Sequence, residues 1–144
     1  MIRRIFVIDT NVFVAGLITS EERAPTALII DAMLAGSMAF LLSPKLLSEY
    51  SHVLQRPKIA SLHGLSRDQV ELILVETTAN AIWREPGRDR EYFCPDQGDA
   101  HLWDLLASEP SAVLITGDRL LIDNPRPGAS IISPSAWRDH FYPG

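Results

Sequence analysis

Short apolar runs alternate along the chain with stretches whose hydrophobic residues recur at helical spacing. Ile5–Ile8 is a continuous run rich in β-branched side chains, which predicts a strand buried on both faces. Residues 12–18 continue apolar into a polar loop over 19–23. Pro25 then opens a predicted helix over 26–34, which stops at Gly36. A second apolar run covers 38–42. Ser43-Pro44 is a helix start with Ser as N-cap, and Leu46, Leu47, Tyr50, Val53 and Leu54 follow at helical spacing as far as Pro57. Ser66 caps a further helix running to about Asn80, with Asp68 and Glu71 in its first turn. Residues 81–83 read as a short strand and 84–91 as a charged connection. A helix over 99–108 places Leu102, Leu105 and Leu106 on one face. The remaining elements are a strand over 112–116, a helical turn over 119–122, a strand at Ser130–Ile132 and a helix over 133–140. Strands alternating with amphipathic helices imply a three-layer α/β/α sandwich around a mostly parallel sheet.

The chain has 144 residues, a size expected of a single domain over 1–144. Its net charge of −5 argues against a large basic nucleic-acid surface and against a polybasic membrane anchor. The acidity is concentrated in residues 71–144, which carry 12 acidic and 6 basic side chains. One cysteine, Cys94, excludes an internal disulfide and a cysteine-based zinc site, and a reducing, cytoplasmic setting is expected. Met1-Ile2-Arg3-Arg4 before Ile5–Ile8 opens like a secretory signal. Asp9-Thr10-Asn11 interrupts the apolar run, so no signal peptide and no membrane span are expected.

In open α/β sheets ligands bind beyond the carboxyl ends of the strands. Asp9 directly follows the first strand, and Asp118 follows the 112–116 strand by one turn. Asp99 lies at the start of a helix, and Glu49 falls beside Leu46 and Val53 at the buried edge of another. Taken singly, Asp9 fits an Asx turn with Asn11, Asp96 and Asp99 fit helix caps, and Asp118 fits the cap of the next turn. Glu49 near an apolar face needs a partner. Four carboxylates in one cleft are tolerable around a divalent cation, and oxygen ligands select Mg²⁺ or Mn²⁺.

These residues carry a family resemblance. Val7-Ile8-Asp9-Thr10-Asn11-Val12-Phe13 resembles the opening motif of PIN-domain nucleases. Ser43-Pro44-x-Leu46-Leu47-x-Glu49-Tyr50 is similar to that family's second motif, and Asp96-x-x-Asp99 before a Leu-rich helix to its third. Leu114-Ile115-Thr116-Gly117-Asp118-x-x-Leu121 resembles its fourth, and Ile131-Ile132-Ser133-Pro134 its ending. The match runs in order over nearly the whole chain. It implies a metal-dependent endoribonuclease that hydrolyses RNA phosphodiesters. It also implies the VapC-like toxin of a toxin–antitoxin pair, a homodimer silenced by an antitoxin protein. Exposed Leu or Ile on the first helices would suit a dimer face. The resemblance assigns Asp9, Glu49, Asp99 and Asp118 as catalytic and metal-binding. Asp9 and Asp99 would hold the main ion, Asp118 would join directly or through water, and Glu49 would complete the set or orient water. Thr10, Asn11, Asp96 and Thr116 would support them.

Arg56, Lys58 and Arg67 have few acidic neighbours in sequence and are the candidate RNA-backbone contacts. Tyr50, Trp83, Phe93 and Trp103 are candidates for base stacking, against the commoner role of core or dimer contact. His52 and His101 are read as surface or core-edge histidines, with acid catalysis or RNA contact as the sharper alternative. Cys94 reads as a small apolar residue. Two other functions compete. One is a catalytically silent PIN-like domain that binds RNA or protein. The other is a phosphatase with Asp9 as nucleophile, which is disfavoured because position 11 is Asn where that chemistry wants a second Asp.

Overall fold

The computed structural model describes residues 4–142; residues 1–3 of the basic opening lie outside it. β1 (Ile5–Ile8) leads into α1 (Thr10–Ile18) and α2 (Pro25–Leu34), and the chain returns through β2 (Ala39–Leu42). Three helices follow, α3 (Pro44–Leu54), α4 (Pro57–His63) and α5 (Arg67–Asn80), before β3 (Ile82–Trp83). A long loop ends in a 3₁₀ turn, Gln97–Asp99, from which α6 (Ala100–Ser108) continues. β4 (Val113–Ile115), α7 (Arg119–Asp123), β5 (Ser130–Ile132) and α8 (Pro134–Phe141) complete the described chain.

The five strands form one sheet in the order β3-β2-β1-β4-β5, and every pairing is parallel. Helices cover both faces, giving a three-layer α/β/α sandwich. Val7, Ile8, Phe40, Leu41, Leu42, Leu114 and Ile115 are completely buried, which explains why these strands read as unbroken apolar runs. From β1 the chain winds out to β2 and β3, then crosses back to β4 on the other side of β1. The connections therefore diverge between β1 and β4, opening a crevice at their carboxyl ends. In register, Ile8 lies opposite Ile115, and the Asp9 N–H donates to the Ile115 carbonyl at 3.0 Å. The residues after β1 and those after β4 thus leave the sheet side by side.

Two helices emerge that periodicity did not reveal. Residues 12–18 belong to α1, whose apolar residues surround the helix because it is packed on several sides: Val12, Phe13 and Val14 are buried. Gly16 lets α2 approach; a Cβ there would lie 2.6 Å from the Thr26 carbonyl oxygen. α4 is the other. Pro57, which ends α3, also occupies the first position of α4, and Gly64 closes that helix at φ 64°.

The first helices do not carry the exposed Leu or Ile that would have suited a dimer face. Among the described residues the large exposed apolar side chains are Leu62, Leu72, Val75, Trp83, Tyr92, Phe93 and Leu120, and none lies on α1 or α2. No described helix is long and apolar enough to cross a membrane.

Candidate metal centre

Asp9 is the hinge between β1 and α1. It is the N-cap of α1, and its side chain is 3% exposed. Oδ1 accepts from the Thr10 N–H at 2.8 Å. Oδ2 accepts from the Thr116 hydroxyl at 2.7 Å and from the Asn11 amide at 3.2 Å. Asn11 also accepts the Gly117 N–H at 3.2 Å, and the Asp118 N–H donates to Thr116 Oγ1 at 3.0 Å. The strand-end residues of β1 and β4 are therefore laced together across the crevice, with Asp9 at the knot. Burial raises the Asp9 carboxyl above its ordinary range, and the Thr116 and Thr10 hydrogen bonds partly offset that rise.

Glu49 reaches this knot from α3, which Ser43 starts by accepting the Leu46 N–H at 3.1 Å. One Glu49 oxygen accepts the Thr10 hydroxyl, and the other accepts His101 Nε2 at 3.1 Å. The partner that a half-buried Glu needs is thus supplied by two side chains from two other helices. His101 stands on the first turn of α6, is 9% exposed, and its Nδ1 is buried with no hydrogen-bond partner. It is not a surface histidine. His52, in contrast, is exposed and bonds back to the Ser48 carbonyl of its own helix at 2.9 Å.

Asp99 does not cap α6: its side chain makes no capping hydrogen bond. The capping reading belongs to Asp96, which accepts the Gly98 N–H at 2.9 Å and is exposed. Burial is the largest influence on Asp99, followed by the charges of Asp9, Asp96, Glu49 and Asp118, and together they push its pKa up to about 7. Ligand atoms of Glu49, Asp99 and His101 lie within 4.8 Å of one another, a spacing that can hold a metal ion. Asp118 contributes charge to this pocket from beyond the knot, while one of its oxygens caps α7 by accepting the Leu120 N–H at 2.9 Å. It lines a cleft of about 420 Å³ together with Asn11, Gly117 and Pro134.

Among the described residues, Asp9, Glu49, Asp99 and Asp118 make no ion pair with Lys or Arg. The basic side chain closest to the group is His101, hydrogen-bonded to Glu49. Like charges gathered with no Lys or Arg paired to them fit a cation, and the donors, carboxylate oxygens plus one imidazole, fit a divalent metal ion.

Other candidates fall outside the pocket. Arg56, Lys58 and Arg67 are exposed on and beside α4 and α5 and, among the described residues, make no ion pair. Tyr50 and Trp103 are core residues, Tyr50 stacking on Phe13 with ring centroids 4.1 Å apart. Burial and the neighbouring acids raise the Cys94 thiol to about 11, so it stays protonated and is no nucleophile.

With this geometry established, the comparisons add one positive finding. A family profile described as "PIN domain" matches residues 5–120, which contain all four carboxylates and His101. No curated protein matches the chain.

Proposed function

Because the chain belongs to the PIN-domain family, whose members are generally metal-dependent nucleases, we propose that it is an endoribonuclease using Mg²⁺ or Mn²⁺. The observation that carries this reading is the gathering of Glu49, Asp99 and His101 within ligating reach of one another at the β1–β4 switch point, beside the buried Asp9 and, among the described residues, with no Lys or Arg paired to it. Asp9, Asp99 and Glu49 would hold the ion, with Asp118 reaching it from the other side of the crevice. Bound there, the ion supplies charge neutralisation at the phosphate and makes water more acidic.

The rest is done by the protein's own side chains. Thr116 and Asn11 both donate to Asp9 Oδ2 and so set its rotamer. Thr10 and His101 hold Glu49 by both oxygens, leaving its remaining lone pairs to accept from ion or water. Asp99, whose carboxyl titrates at about 7, would hold the ion as the carboxylate, so proton and cation would compete for it. Thr10, Asn11 and Thr116 are positioning residues in this scheme. Asp96, engaged with Gly98 at the rim, adds charge.

The proposal extends to an RNA substrate with Arg56, Lys58 and Arg67 as distal backbone contacts. It also extends to a cytoplasmic homodimer and to the toxin role, with an antitoxin protein as partner. Growth arrest on expression, relieved by Asp9→Ala, would support the toxin role, and unimpaired growth would remove it.

The enzymatic test is incubation with structured RNA in Mn²⁺ or EDTA. Wild type is expected to cleave in Mn²⁺ only, and Asp9→Asn and Asp99→Asn to lose most activity with unchanged circular dichroism. Cleavage by either variant at the wild-type rate would remove the assignment. Mn²⁺ binding without cleavage of any RNA would identify a silent domain instead.

A further inference from the structure

Phe93 is 99% exposed, although it lies in a loop whose neighbouring residues are fastened down. Asp89 anchors the loop. Its N–H donates to Asp104 Oδ1 on α6 at 2.7 Å, and its carboxylate accepts Arg126 Nε at 2.8 Å in an almost buried ion pair. The Glu91 N–H folds back onto the same carboxylate at 3.0 Å. The Arg126 guanidinium lies 4.8 Å from the Tyr92 ring centre, so the residue before Phe93 is held by a cation–π contact. The residue after it, Cys94, packs against the core and feels the charges of Asp99, Asp96 and Asp9. Phe93 is therefore projected into solvent from a braced loop at the rim of the carboxylate pocket.

We infer that Phe93 is a stacking platform for an unpaired nucleobase of the RNA next to the phosphate held at the carboxylates. The inference rests on the nuclease reading above and deepens it. A polyanion approaching this rim meets four carboxylates; Arg126, from the segment after α7, is committed to Asp89, while Arg88 and Arg90 of the Phe93 loop are exposed. Cations of either kind meet the phosphates, whereas a base is held by contacts that carry no charge. A ring face supplies such a contact, since every base has a π-face and stacks without regard to sequence. A paired base cannot reach it, so the platform favours single-stranded RNA. Of the aromatic side chains considered for stacking, Tyr50 and Trp103 are buried, and Trp83 lies on the edge strand β3.

Binding is read first, so that the result does not depend on turnover. The probe is a short labelled single-stranded RNA, followed by fluorescence anisotropy in Ca²⁺ with wild type, Phe93→Ala and Phe93→Trp, all checked for fold by circular dichroism. Phe93→Ala is expected to weaken binding about ten-fold, with Phe93→Trp close to wild type. Replacing one nucleotide at a time by an abasic spacer should reveal a position that costs wild type the same factor and Phe93→Ala nothing. The corresponding duplex should not distinguish the proteins. Equal affinity of wild type and Phe93→Ala overturns the platform, as does a loss shared by the duplex or a wild type that binds no RNA. Cleavage in Mn²⁺ is scored separately. A wild type that cleaves while Phe93→Ala binds normally leaves the nuclease standing and removes the platform; weakened Phe93→Ala binding to a wild type that cannot cleave does the reverse.

Discussion

His101 joins two functions in one side chain. Its Nε2 holds the Glu49 carboxylate at 3.1 Å, and one of its ring nitrogens lies close enough to Glu49 and Asp99 to share a cation with them. A buried imidazole with an unpartnered Nδ1 is an expensive arrangement for packing alone. His101→Ala is therefore expected to raise the Mn²⁺ dissociation constant about ten-fold, the size of effect typical of groups that orient metal ligands. Titration of Mn²⁺ by its electron paramagnetic resonance signal measures this directly. An unchanged constant would reduce His101 to a packing residue. The residue's importance was hard to read in the sequence, because a lone histidine on an apolar helix face is more often a satisfied core residue. The available signal was Glu49, which needed a donor that its own helix does not supply. The four acids were legible for a different reason: each terminates a strand or begins a helix, or interrupts an apolar face, where polar residues stand out. Asp96 and Asp99 show the limit of that signal. Both are acids before a helix, yet only Asp96 caps, and spacing alone does not distinguish them.

At the scale of elements, β1 and β5 have the bounds that the apolar runs predicted, and α2, α3, α5 and α6 lie where helical spacing and caps placed them. β1 is a buried run and α3 and α6 bury one face, so their patterns are regular, whereas α2 and α5 are marked by their starts, Pro25 and the Ser66 cap. α1 is harder to see because Val12, Phe13 and Val14 are all buried, which erases the polar face. α1 also carries the element-scale constraint that matters most for the site, since Thr10 and Asn11 begin it. Its approach to α2 depends on Gly16, where an added Cβ would press on the Thr26 carbonyl oxygen at 2.6 Å and on Ile30. Gly16→Ala is expected to destabilise the fold by about 2 kcal/mol, the middle of the range for overpacking. Urea unfolding monitored by circular dichroism tests it. A variant as stable as wild type would show that α1 and α2 can part at little cost, and that the position of α1 is set elsewhere.

For the molecule as a whole, the site is a consequence of strand order, which no local pattern contains. Only the return from β3 to β4 across β1 brings residue 9 beside residue 116. Gathering acids this way opposes folding in the absence of a cation, and pH reveals the sign. The Asp99 carboxyl in the folded chain titrates at about 7, above the value of about 3.9 expected for an unfolded aspartate. Between those values the folded state binds more protons than the unfolded state, so stability falls as pH rises through the window and levels off above it. A divalent ion replaces the proton and reverses the loss. At about pH 8, Mn²⁺ at a hundred times its dissociation constant adds about 2.7 kcal/mol, which for a chain of this size raises the melting temperature by roughly 5–10 °C. At about pH 5.5 the proton competes for Asp99 and the same Mn²⁺ should give a smaller shift. In Asp99→Asn the cation-free protein should lose most of its pH dependence across this window, and the Mn²⁺ shift should shrink at both values. Calorimetric scans at the two pH values decide the matter. Equal Mn²⁺ shifts at both, or a full shift in Asp99→Asn, would mean that the ion binds away from the switch point and that the acids there serve another purpose.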